Sequence, residues 1–168
     1  MRAASTVATA GLLLACCAPA MRSDDAGSLG DGAIDAPSTA SLELGTGLEA
    51  FEPIPDEGAE LELVHGPQGG WHVHLSLRAR GFVPTGLIYE ITRLSDGALV
   101  CMLALGVREG TFVERDGALE RVGDFAIFSI TTADEIAGQD VLVRASLYDA
   151  ERHRVEDEVR ARVVDLVP

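Results

Sequence analysis

The 168-residue chain contains no lysine and no asparagine, only 5% aromatic residues and three cysteines. The missing lysine leaves arginine to do all the permanent basic work, a bias that reads as coding composition rather than chemistry. Positive charge is scarce: 13 basic residues against 27 acidic ones give a formal net charge of −14. Such a field repels phosphate backbones and anionic headgroups, which excludes a nucleic-acid partner and charge-driven membrane binding. Cys16 and Cys17 are adjacent near the N-terminus, so Cys101 stands alone and no disulfide framework can form around it. Cys101 falls inside the nearly continuous apolar run Ala98 to Val107 and reads as a small buried hydrophobe, not a nucleophile. Nucleophile elbows, phosphate-binding glycine loops and Cys-x-x-Cys pairs are also missing, so nothing points to an enzyme. Helical periodicity is confined to Ala133 to Ala137, one turn with Thr132 as N-cap, and no β-α-β unit can be built from it.

What is present begins with an export segment. Met1-Arg2 supplies a positive start, and Val7 to Ala15 is an apolar stretch too short to span a bilayer, which together read as a signal peptide over residues 1–15. The run Leu13-Leu14-Ala15-Cys16 resembles the lipobox of bacterial lipoproteins. That resemblance implies cleavage before Cys16, lipidation of Cys16 and attachment to a membrane of the cell envelope through its acyl chains, each buried methylene contributing about 0.8 kcal/mol. Position 17 is Cys and not the aspartate linked to inner-membrane retention, which by the same resemblance directs the expectation to the outer membrane. The alternative is an ordinary secretory signal cut after Ala18-Pro19-Ala20.

Residues 16–47 are rich in Ala, Gly, Ser, Asp, Thr and Pro without apolar periodicity, and read as a flexible lipid-anchored linker with a reach of about 30 Å. From residue 48 the period becomes two. Short alternating runs broken by Gly-Pro-Gln-Gly-Gly, Ser95-Asp96-Gly97 and Asp116-Gly117 predict hairpins, Ala118 to Val122 and Phe125 to Ile130 read as separate strands, and residues 48–168 are read as one all-β domain. The expected fold is an Ig-like antiparallel β-sandwich of about seven to nine strands. The closing pair, Val141 to Tyr148 and Arg154 to Val164, resembles the final hairpin of bacterial Ig-like and polycystic-kidney-disease-like modules, although the aromatic-acidic signature of the latter is absent. Its mixed charges, Arg152, Arg154, Arg160 and Arg162 among Glu151, Glu156, Asp157 and Glu158, suit a solvated face that discourages edge aggregation.

One stretch concentrates the chemistry. Residues 65–74 hold three of the four histidines and the only tryptophan, with His72 and His74 on one face of a strand. Gly70-Trp71-His72-Val73-His74 is similar to a motif of copper/zinc superoxide dismutases, but the downstream histidines, acidic residues and disulfide cysteines of that family are missing, so its activity is not implied. A hairpin pairing His65 with Trp71 would set Val64 opposite His72 and Glu62 opposite His74, sending Trp71, Val73, Leu75 and Leu77 into the core. Two readings stay open. His72, His74 and Glu62, joined by His65 if a bulge intervenes, are candidate ligands for zinc or copper; or they form the polar face of an amphipathic strand. Gln68 and Trp71 make a candidate binding loop for an envelope protein or glycan. The stretch Gly-Pro-Gln-Gly-Gly-Trp-His-Val is also similar to exported lipoproteins of myxobacterial type, a resemblance that implies no activity.

Overall fold

Alternation along the strands decides the layers. Val141, Val143, Ala145 and Leu147 are fully buried, as are Val73, Leu75, Leu77 and Ala79, and these two rows face each other across an aliphatic core. In the computed structural model, which describes residues 34–35, 39–55, 58–67 and 69–166, the strands are β1 (Ile34–Asp35), β2 (Ser41–Thr46), β3 (Glu52–Pro53), β4 (Ala59–Glu62), β5 (Val64–His65), β6 (Trp71–Arg80), β7 (Gly86–Arg93), β8 (Leu99–Gly106), β9 (Val113–Arg115), β10 (Ala118–Ile127), β11 (Asp140–Tyr148) and β12 (His153–Val164). A single 3₁₀ turn covers Ala133–Glu135, where the Glu135 carboxylate accepts from the N–H groups of Thr131 and Thr132. Among the described residues no helix is long and apolar enough to cross a membrane.

The protein is an all-β sandwich. One sheet runs β1-β12-β11-β7-β8 with β4 also paired to β12; the other runs β3-β2-β6-β10-β9 with β5 also paired to β6. Pairing is antiparallel as expected, except that β1 and β4 lie parallel to β12. The hairpins at Ser95-Asp96-Gly97 and Asp116-Gly117 form where the turn residues placed them; Asp116 and Gly117 both take positive φ, the backbone twist a two-residue hairpin turn requires.

Four expectations are corrected. The linker does not reach residue 47: Ser41–Thr46 is a strand, antiparallel to β6, with Leu42 and Leu44 in the core. The signal peptide, Cys16 and the linker up to residue 33 lie outside the described residues. Next, the run from Glu60 to His65 does not stay in one hairpin. It hangs on β12 of the first sheet as far as Glu62, and Leu63 N–H donates to Val164 O. Val64 and His65 then join β6 of the second sheet. Leu61 and Leu63 are both buried, because each sheet turns the same face to the shared core. The mixed-charge strand β12 is interior to its sheet rather than an edge, and Asp157 reaches from it to accept the Leu44 N–H of the facing sheet at 2.7 Å. Lastly, the runs expected at 118–122 and 125–130 are largely one strand, β10, with a register shift between Arg121 and Asp124.

Candidate functional site

The open end of the β6–β10 pair carries the predicted histidines. β6 turns His72, His74, Ser76 and Arg78 outward, opposite its core row. Without its irregularity, the neighbouring β10 would set Asp124 opposite His74 and Ala126 opposite His72. Glu120 faces Arg78 before the shift and Phe125 faces His74 after it, so the outward residues change from even to odd numbers. A bulge inserts the residue that reverses the parity. Gly123, at φ 73°, takes the left-handed backbone this requires, and its N–H donates to Ser76 Oγ at 3.1 Å. Ser76 is fully buried and its hydroxyl donates in turn to Gly47 O at 2.9 Å.

The reversal brings three rings together. Phe125 lies 4.9 Å from His72 and 5.0 Å from His74 between ring centroids, and the two imidazoles are 5.2 Å apart, edge to face. His72 stands in register with Ile127 on one side and Val64 on the other. Phe125 and Ile127 are 54% and 55% exposed. Gly66, Pro67, Gly69 and Gly70 wall a depression of about 300 Å³ with His72, Phe125 and Ile127. A Cβ at Gly66 would sit 3.6 Å from the His72 ring, at ordinary van der Waals distance. Further along the same outer face Phe51 covers Arg78, whose guanidinium carbon is 4.1 Å from the ring centre and whose Nε bonds Glu120 at 2.9 Å.

Burial, and then the neighbouring His74, push the His72 pKa below its usual value, so the ring is held neutral. Among the described residues, His74 Nδ1 is buried without a hydrogen-bond partner. The predicted register of His65 with Trp71 and Val64 with His72 is present, and the His65 ring packs tilted against Trp71 with ring centres 4.6 Å apart, away from the histidine pair. Trp71 packs against the core as expected. Glu62 is not opposite His74; the sheet switch at Leu63 places it beside Val164. Of the four proposed ligands only His72 and His74 come together. Gln68 lies outside the described residues.

Phe125 and Ile127 were missed from sequence because simple alternation hides them; the glycine at 123 inside a strand pattern was the available signal. A second cluster was also missed. Asp149, Glu151 and His153 place ligand-type atoms within 4.8 Å of one another in the turn between β11 and β12. Asp149 accepts from His153 N–H at 2.8 Å and contacts its Nδ1 at 2.8 Å, bonds that close the turn. Cys101 is buried, and that burial pushes its thiol up to about 11, in keeping with an inert core residue. Comparison with protein-family models and with curated proteins finds no match for this chain.

Proposed function

We propose that the chain is an envelope lipoprotein anchored through Cys16, at the outer rather than the inner membrane, and that its sandwich is a non-enzymatic binding or structural module for another envelope protein or glycan. Its contact surface is the patch of Phe125, Ile127, His72 and His74. The observation that carries this is the exposure of two large apolar side chains packed against the imidazole rings of His72 and His74, on a chain of formal net charge −14. Apolar area left open next to weakly polar rings supports contact with a partially apolar partner surface, protein or sugar face. Photocrosslinking from position 127 in intact cells is expected to give one discrete adduct that disappears with Phe125→Ser. Diffuse labelling, or an adduct indifferent to that substitution, would sink the proposal.

A second reading rests on the unpartnered Nδ1 of His74 beside His72. Two imidazoles on one strand face would supply part of a zinc or copper coordination sphere. Protein purified without a histidine tag should then take up about one equivalent of metal. Uptake unchanged by His72→Ala with His74→Ala would end this reading.

A further inference from the structure

Three of the four sheet borders are blunted in ways that prevent another strand from adding. The β12 side carries β4 with Glu60 and Glu62 and, further along, the two-residue β1; the second sheet ends in the two-residue Glu52–Pro53 and in the three-residue Val113–Arg115 with its two charges. Short strands, proline and charge are how sheets refuse additional pairing. The fourth border, β8, has none of these protections. It is eight residues long, pairs only with β7 among the described residues, and its sequence Leu-Val-Cys-Met-Leu-Ala-Leu-Gly contains no charged side chain.

The direction of its backbone groups follows from its ends. Val107 N–H turns to Thr85 O on the β7 side, so by alternation Met102, Ala104 and Gly106 direct their N–H and C=O groups outward. Val100 O is already taken by Ser129 N–H at 2.7 Å, which leaves Met102 to Gly106 as the free stretch. Met102, Ala104 and Gly106 are also the residues exposed on the outer face, while Leu103 and Leu105 are half-buried on the inner one.

We propose that β8 pairs antiparallel with β8 of a second copy of this chain, across a two-fold axis at Ala104. Sequence and charge both select a second copy over an unrelated strand. With Ala104 on the axis, Met102 meets Gly106 of the other copy, a large side chain against none, and Leu103 meets Leu105 with both kept on the inner face. The large-small-small order of the outward residues is self-complementary only in this antiparallel sense. Two chains of charge −14 repel over most approaches, and β8 is the one strand longer than two residues without a charge. The nearest charge on the outer face, Glu90 in register with Met102, has Arg144 as its own neighbour on β11. Pairing would join the first sheets of both copies into one continuous sheet and leave the histidine patch on the other sheet free.

The test uses the full chain in detergent with Ala104→Cys. Antiparallel partners at a hydrogen-bonded position have Cα atoms ~5.5 Å apart, within reach of a disulfide. Mild oxidation is expected to convert most of this variant to a covalent dimer, whereas the unaltered chain, with its native cysteines, and Ile88→Cys, one strand further in, stay at background. The unaltered chain should sediment at twice the monomer mass, and Ala104→Arg, its circular dichroism unchanged, at the monomer mass. A monomeric unaltered chain, or cross-linking of Ala104→Cys no greater than that of Ile88→Cys, overturns the proposal.

Discussion

Tyr89, fully buried on the inner face of β7, donates a 2.9 Å hydrogen bond to Asp124 Oδ2 on the bulge of the facing sheet, and Arg121 Nε closes on the same oxygen. One carboxylate thus ties the two layers together at the point where β10 changes parity. With the Ser76 bonds to Gly47 and Gly123, it sets the direction in which Phe125 points.

Removing the Tyr89 hydroxyl leaves Asp124 short of a buried donor. Tyr89→Phe is expected to lose about 1–3 kcal/mol, read from urea unfolding at neutral pH. Burial, then the nearby Asp124 charge, raise the Tyr89 pKa well above its usual value, so the folded protein keeps a proton that the unfolded chain releases above about pH 10. Stability should therefore fall as pH rises past 10, and more shallowly in Tyr89→Phe. Identical alkaline profiles would refute the assignment.

Ser76→Ala removes, from a fully buried position, the donor to Gly47 O and the acceptor of the Gly123 N–H. A loss of about 1–3 kcal/mol is expected, with altered Phe125 ring resonances by NMR because the bulge loses its fastening. Unchanged ring resonances would show that the bulge stands without Ser76.

His72 binds its proton less readily in the folded chain than unfolded. A base with a depressed pKa withdraws stability as pH falls below its unfolded value of about 6.5 and on through the folded one. The urea midpoint should drop between pH 7 and pH 5, and His72→Gln should flatten that drop. An equally steep drop in the variant places the titration elsewhere.

Cys16→Ala should leave an unprocessed precursor that incorporates no labelled palmitate. Normal processing of that variant would favour cleavage after Ala20 and release from the membrane.

Much of the sandwich was legible because its longest strands alternate cleanly, as in β6, whose row Val73, Leu75, Leu77 and Ala79 needs only a period of two. The pairing of His65 with Trp71 was legible too, since a five-residue glycine loop fixes the register beside it. Glu62 was misplaced because alternation is the same whichever sheet a strand joins; Leu61 and Leu63 would be buried in either. Phe125 was hidden by a bulge that inverts inside and outside within one strand. Ser41–Thr46 reads as linker because only Leu42 and Leu44 are large and apolar and Gly45 follows them at once. That glycine is demanded by contact: a Cβ there would meet the Phe51 ring at 2.5 Å.

The passage of the chain between sheets at Leu63 has a mechanical meaning. A run whose first half is laced to β12 and whose second half is laced to β6 works as a stitch through both layers, and the bond from Leu44 N–H to Asp157 is a second stitch. Neither layer can slide over or peel from the other while these hold. Amide protons on β4 and on the adjoining stretch of β6 should accordingly exchange through one shared opening event, and a load applied across the sandwich would meet a fabric sewn through its thickness rather than two separable sheets.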